Sequence, residues 1–310
     1  MKAVLPALAR PLIEADLPAA IDPHWFTSQE EAIEMVRDAE IGWVDIYPVG
    51  PHAVAAHGAN LKWLFTIFAG IDGFDLDAIR ARGTTITNGV GINAEAVAEY
   101  CVLGMLAAAK RLDMVVQAQA RREWLHYPPG RLEMLGSRAL ILGYGTIGRM
   151  IGDRLAAFGV EITCVTRSGR DGTLTPDQWR DRIGDHDWIV LAAPGTAQTQ
   201  AMIGANELAA MKPGAWIANI ARGTMIDQDA LIAALHARRI GGAFLDVTDP
   251  EPLPPDHPLW DAPNCILTMH LSGRSQTSMF KRGAALFLEN AHAYVEGRPM
   301  QNVVDLDAGY

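Results

Sequence analysis

Cysteine is scarce in this chain: Cys101, Cys164 and Cys265 are all that 310 residues carry, odd in number and far apart. That argues against a disulfide framework and against a thiolate zinc cluster. Nine histidines are scattered without H-E-x-x-H or comparable spacing, so no metal site is read from them. No apolar stretch reaches the length of a membrane span, and the run in MKAVLPALAR is too short, and too interrupted by Pro6, for a secretion signal. Positive charge is in deficit: 26 Lys and Arg stand against 36 Asp and Glu, a net charge of -10, and basic residues never run beyond two in a row. Nucleic acid and anionic membrane are poor partners for such a surface, and a reducing cytoplasm is the expected setting. Internal repeats and low-complexity tracts are missing too.

What is present is an apolar fraction of 49% over a length that exceeds one typical core, so two domains are expected. The most legible stretch is ALILGYGTIGRMIGDRLAAFG, residues 139–159. Ala139 to Leu142 form a short apolar run without alternation, as in a parallel strand covered on both faces. Gly143, Gly145 and Gly148 follow as G-x-G-x-x-G, with Tyr144, Thr146 and Ile147 between them. The first glycine serves a tight turn, the second admits a pyrophosphate against the backbone, and the third lets a helix pack closely on the strand. Ile147, Met150, Ile151, Leu155 and Phe158 recur at helical spacing, and Gly159 stands where a helix ends in a left-handed residue. Strand, glycine turn, capped helix and second strand together point to a dinucleotide whose phosphates sit on the helix N-terminus. The second strand discriminates between dinucleotides. Thr166 takes the position of the carboxylate that holds a ribose 2′-hydroxyl in NAD sites, and Arg167 and Ser168 follow it. A guanidinium and a hydroxyl donate to a 2′-phosphate that a carboxylate would repel, so NADP(H) is expected in preference to NAD(H).

The first hundred residues give weaker signals. Strands are predicted at residues 3–5, 41–47, 63–67 and 85–88, a helix at 29–37, and a turn at Pro48-Val49-Gly50-Pro51. The glycine turn Phe68-Ala69-Gly70-Ile71-Asp72-Gly73 at a strand end is either a carboxylate nest of free N–H groups or an ordinary strand-to-helix turn. Asn93 opens a long apolar helix predicted to run to Leu112 and to bridge two domains. Further strands at 188–193, 215–219, 242–247 and 265–268 bring the second sheet to six parallel strands. A helix is predicted over 275–296, and Asn302-Val303-Val304 is expected to return to the first domain as an edge segment.

In an open parallel sheet the ligand lies outside the carboxyl ends of the strands. Arg222 follows the strand ending at Asn219, Glu251 the strand ending at Val247, and His270 the strand ending at Thr268. Their joint placement reads as one site. A Glu beside a His stabilises the charged imidazolium and keeps it an acid near neutral pH.

These stretches together resemble the D-2-hydroxyacid dehydrogenase family. The matching segments are Ala69-Gly-Ile-Asp72, Ala98-Glu-Tyr100, the GYGTIG turn, Pro194-Gly-Thr196 with Thr199, Ala221-Arg-Gly223, Leu245-Asp-Val247 with Glu251-Pro-Leu253, His257-Pro-Leu-Trp260, and Thr268 with His270. Thr166 matches the family's NADPH-dependent branch, many of whose members reduce glyoxylate or hydroxypyruvate. The resemblance implies an α/β chain: a doubly wound parallel-sheet (Rossmann) cofactor domain, residues 96–285, inserted in a smaller flavodoxin-like substrate domain made of residues 1–95 and 286–310. It implies Arg222 on the substrate carboxylate and carbonyl oxygen, His270 as proton donor, Glu251 as its support, and Ala69, Gly70 and Ile71 holding the carboxylate. Pro194, Thr199, Ile220, Ala221 and Asp246 would line the cofactor, with Asp246 beside the nicotinamide. A 2-ketoacid substrate, glyoxylate, hydroxypyruvate or bulkier, and a homodimer formed through the helix after Asn93 are further implications. A dinucleotide-sensing protein, like the family's corepressor relatives, is the second reading. Met269 departs from the Pro that usually precedes the catalytic His, and Leu271-Ser272 replace smaller residues, so a less rigid loop and a more apolar pocket are expected.

Overall fold

A computed structural model of the chain describes residues 1–45, 51–71, 73–274 and 278–307. The contacts divide it into two units, one of residues 1–93 with 274–310 and the other of residues 94–273. The second division falls before the last helix, Ser278–Val295, which therefore belongs whole to the first unit; a limit at 285 would have cut it. The reason is burial. Phe287 of that helix stacks on Trp63 with ring centroids 5.1 Å apart and meets Trp43 and Phe65, closing the core of the first sheet.

The first unit is a five-stranded parallel sheet of β1 (Lys2–Pro6), β2 (Asp22–Phe26), β3 (Ile41–Trp43), β4 (Trp63–Phe65) and β5 (Thr85–Thr87), in the order β2-β1-β3-β4-β5. This is the flavodoxin order. β2 escaped the sequence reading because Pro23 and His24 break its apolar run, and those residues are tolerated because β2 is an edge strand. The helix Gln29–Val36 starts at Ser28, whose hydroxyl accepts the Glu31 amide. Ile46 and Tyr47 of the expected strand, Pro48 to Gly50 of the turn expected after it, and Asp72 lie outside the described residues, as do residues 275–277, where the last helix was expected to open. The chain end does return as an edge segment: Val303 bridges Thr87 in antiparallel fashion.

The second unit holds β6 (Arg138–Leu142), β7 (Glu161–Val165), β8 (Trp188–Leu191), β9 (Trp216–Asn219), β10 (Gly242–Leu245) and β11 (Cys265–Leu267), all parallel, in the order β11-β10-β9-β8-β6-β7. Leu174 adds one parallel bridge to Val165 beyond β7, so the third strand of a doubly wound sheet is reduced to a single pair. Register aligns the carboxyl ends. Val165, Leu142, Leu191, Asn219, Leu245 and Leu267 form one paired row across the sheet. The strand order reverses between β6 and β8, which places the expected ligand crevice beyond Leu142.

The helix after Asn93 is shorter than predicted. It spans Ala94–Lys110, then Arg111 turns left-handed (φ 51°) and a second helix, Leu112–Ala120, begins. Arg111 is held there by a paired contact with Asp113 and by Asn264, 2.7 Å away. Val97, Ala98, Cys101, Met105 and Ala108 of the first of these helices are buried in the second unit's own core, against the helix Thr146–Ala157 and strands β9 and β10. No described helix is long and apolar enough to cross a membrane.

Candidate active site

The glycine turn after β6 has the shape that each glycine requires. Gly143 has φ 102°, and a Cβ on it would meet the Ala193 nitrogen at 2.4 Å. A Cβ on Gly148 would lie 2.1 Å from the Gly143 oxygen. At Gly145 it would meet nothing within 4 Å, so that glycine faces open space and leaves room for a phosphate. Gly145 is also the N-cap of the helix Thr146–Ala157 and offers no side chain to its first N–H groups. These residues fit a dinucleotide. Tyr144 lies under the Arg149 guanidinium at 5.1 Å, and its hydroxyl, bonded to the Cys164 thiol, is pushed above its ordinary pKa chiefly by burial.

Thr166 stands one residue past β7. Its hydroxyl meets that of Thr173 at 2.7 Å and accepts the Gly169 amide at 3.1 Å, which folds the loop back and leaves Arg167 and Ser168 exposed beside it. After β8, Thr199 Oγ1 donates to the Pro194 carbonyl at 2.8 Å and accepts the Thr196 amide. After β9, Ile220 and Ala221 point into the two cores flanking the sheet.

Arg222, Glu251 and His270 come together at this edge. Asn219, buried at the end of β9, accepts the Ala221 amide at 3.0 Å and donates to the Arg222 carbonyl at 2.8 Å, which fixes the turn carrying the guanidinium. The Arg222 stem lies on Gly195, where a Cβ would be 2.8 Å from its Cγ. Glu251 Oε1 accepts the Thr248 amide at 3.0 Å, and its Oε2 meets His270 Nδ1 at 2.7 Å. The carboxylate's hydrogen bond and charge raise the His270 pKa above 6.5, against burial and the charge of Arg222, while Glu251 is held below its usual range by His270 and the Thr248 amide despite burial. With Nδ1 committed to Glu251, Nε2 is the ring nitrogen left for another partner.

The His270 loop is bound through Asp246. Its buried carboxylate accepts from the Thr268 hydroxyl (2.9 Å), the Leu271 amide (2.9 Å) and the Ser272 amide, and its carbonyl accepts the His270 amide. Met269 and His270 are both left-handed, at φ 55° each. A proline cannot take that conformation, so Met269 permits a backbone its usual counterpart forbids. Held this way, the loop is not the loose segment expected, although Met269 and Leu271 do present apolar surface.

In the first unit, the turn after β4 is pinned from the β5 side. The Phe68 carbonyl accepts the Gly89 amide (2.9 Å) and the Ala69 carbonyl accepts Asn88 Nδ2 (2.8 Å). Among the described residues, no partner accepts from the amides of Ala69, Gly70 or Ile71. Carbonyls turned inward and amides left unspent are the arrangement of an anion nest.

Fold and site together define a nicotinamide-dependent oxidoreductase. Residues 102–272 match the family model for the D-isomer specific 2-hydroxyacid dehydrogenase NAD binding domain, and the chain belongs to that family. It is 31% identical to the glyoxylate/hydroxypyruvate reductase B of Pectobacterium atrosepticum, over 94% of each chain. Among solved structures, a D-isomer specific 2-hydroxyacid dehydrogenase family protein from Aeromonas salmonicida is similar with TM-score 0.88 and 29% identity, covering 99% of both chains. An NADPH-dependent glyoxylate/hydroxypyruvate reductase from Sinorhizobium meliloti, in complex with NADP and malonate, is similar with TM-score 0.80 and 26% identity, covering 99% of this chain and 97% of that one.

Proposed function

We propose that the chain reduces a 2-ketoacid of the glyoxylate or hydroxypyruvate kind, or a bulkier one, to the D-2-hydroxyacid with NADPH. The observation that carries this reading is the Glu251–His270 pair, 2.7 Å apart, with the charge of Arg222 bearing on both partners. The cofactor supplies the hydride. The residues of the chain do the rest: Arg222 holds the carboxylate and the carbonyl oxygen, His270 Nε2 protonates that oxygen as charge builds on it, and Glu251 keeps the imidazole charged until then. The amides of Ala69, Gly70 and Ile71 take the carboxylate. NADPH over NADH rests on Thr166 in place of an acid, with Arg167 and Ser168 exposed beside it, and is supported by the NADPH dependence of the Sinorhizobium relative.

Cofactor oxidation, followed at the nicotinamide absorbance with NADPH and NADH against glyoxylate, hydroxypyruvate, pyruvate, phenylpyruvate and 2-ketoisocaproate, tests both statements. Turnover with NADPH well above NADH is the expected result. Tight NADPH binding without turnover of any acid would replace the enzyme reading by the sensing one.

Homodimerisation belongs to the same proposal, through the helix after Asn93 and the segment that continues from it. The helix Ala94–Lys110 buries most of its apolar side within its own unit but exposes Leu103, and the segment after it exposes Val116, Trp124 (86%), Tyr127 (78%) and Leu135 (74%). Apolar exposure on that scale marks an interface. Light scattering on the eluting protein is expected to return twice the chain mass of 33.6 kDa, and a monomer would refute the dimer.

A further inference from the structure

Two residues beyond β3, Asp45 reaches across to the strand beside it. Its Oδ2 accepts from Trp43 Nε1 (2.9 Å) and from the Ile67 amide (2.7 Å), and its Oδ1 accepts from the Thr66 hydroxyl (2.7 Å). The Thr66 oxygen in turn accepts the Phe68 amide at 3.2 Å. Thr66 and Ile67 are buried and lead directly into the Ala69–Ile71 turn. On the opposite flank Gly89 and Asn88 hold the carbonyls of Phe68 and Ala69. The turn after β4 is thus tied from both neighbouring strands, and on the β3 side Asp45 is the tie. Its carboxyl is drawn far enough from water that burial lifts it to about 6 against three hydrogen bonds. A chain that needed only to fill this position would do so with an apolar or amide side chain; a partly dehydrated carboxylate is costly, and what it does here is collect three donors that aim one turn.

We propose that Asp45 is a positioning residue for substrate recognition: by fixing Thr66 and Ile67 it presents the Ala69, Gly70 and Ile71 amides to the 2-ketoacid carboxylate. The inference rests on the proposed role of those amides. It predicts which substitution matters. Alanine leaves the Trp43, Thr66 and Ile67 donors without an acceptor, and the turn relaxes to satisfy them elsewhere. Asparagine keeps the geometry, because its oxygen takes the Trp43 and Ile67 N–H groups while its amide nitrogen donates to the Thr66 oxygen.

The test measures KM and kcat for hydroxypyruvate, and NADPH affinity by fluorescence, on the full-length protein. Asp45→Ala is expected to raise KM by about tenfold with kcat within about twofold of wild type and NADPH affinity unchanged. Asp45→Asn is expected to restore KM to within about threefold. Thr66→Val, a milder break in the same chain of bonds, raises KM in the same direction and serves if the alanine variant does not fold. Gly70→Pro, which deletes one of the three amides, separates the two layers of the argument. An unchanged KM in that variant overturns the carboxylate reading itself. Raised KM with Gly70→Pro but wild-type KM with Asp45→Ala overturns the role of Asp45 alone. Asp45→Asn as impaired as Asp45→Ala, or an Asp45→Ala variant that loses NADPH affinity together with KM, also overturns it, since the first means that charge rather than bonding geometry matters and the second that the effect is general.

Discussion

Replacing Gly223 by alanine is a sharp test of how the catalytic edge is built, because nothing about that change touches the chemistry directly. Gly223 follows Arg222 and lies against the backbone of the next loop: a Cβ there would sit 2.0 Å from the carbonyl carbon and oxygen of Thr248 and 2.6 Å from the Asp249 nitrogen. Ordinary contact begins at 3.4 Å, so the 248–249 peptide must retreat by about 1.4 Å. Glu251 hangs on the adjoining 247–248 peptide, with Oε1 on the Thr248 amide and Oε2 on His270, so a shift of the 248–249 unit carries through Thr248 to it. A displacement above 1 Å stretches a 2.7 Å contact past hydrogen-bonding range, and misplacement of that size costs about 10²-fold in turnover. Stability falls as well, by about 1–3 kcal/mol, the usual range for overpacking. The pH profile carries the diagnosis. Glu251 raises the pKa of His270, so the imidazole, the proposed proton donor, is fully charged below its ordinary range and loses that charge as pH climbs through the raised value. Without that contact the activity limb moves to lower pH, and the variant's deficit grows with pH. The assay is kcat/KM from roughly pH 5.5 to 8.5, spanning the histidine range, with NADPH affinity as a control for the intact glycine turn. Wild-type kcat/KM throughout would refute the claim that this glycine seats Glu251 against His270.

Other perturbations separate the remaining roles. His270→Gln is expected to lower turnover by about 10²-fold or more, the loss of a general acid, and unchanged reductase activity would remove His270 from the mechanism. Glu251→Gln shifts the same activity limb to lower pH while leaving activity at acid pH nearer to wild type; a profile that drops uniformly would mean Glu251 does more than charge the imidazole. Thr166→Asp should weaken NADPH relative to NADH by about tenfold or more, through repulsion of the 2′-phosphate, and an unaltered cofactor ratio would count against the assignment of that corner. Met269→Pro forces φ from 55° to about -65° and is expected to cost about tenfold or more in kcat/KM; full activity would mean the backbone at 269 is not left-handed.

The second sheet was far easier to read than the first. Its strands are continuous apolar runs, buried throughout from Ala139 to Leu142 and in β8, β9 and β10, and such runs stand out against polar surroundings. Three-residue strands such as β3, β4 and β5 carry too little pattern to fix their ends, and β2 contains the two residues least suggestive of a strand. The break at Arg111 was invisible because the sequence on both sides of it is helical by composition. What stops the helix is a left-handed residue held by Asn264, 153 positions away.

The same division runs through the site. Arg222, Glu251 and His270 could be found because each follows a strand at a place where a ligand would lie, and a charged or titratable side chain there has a visible reason to exist. The residues that hold them in place had none. Asn219, Asn88 and Asp45 read in sequence as unremarkable polar residues at strand ends, and Asp246 as a neighbour of the nicotinamide rather than a tie for a loop; folded, each has hydrogen bonds with backbone or hydroxyl groups of a loop beyond the strand ends. Asn219 and Asp246 are almost wholly buried, where an unpaired polar group is costly, so the loop geometry that satisfies them is also the one that is stable. A parallel sheet ends all its strands in one row and leaves the loops beyond it without a ladder to order them. Short polar side chains set just at that row supply the missing order, and this makes the last buried polar residue of a strand as informative about a site as the exposed residue that follows it.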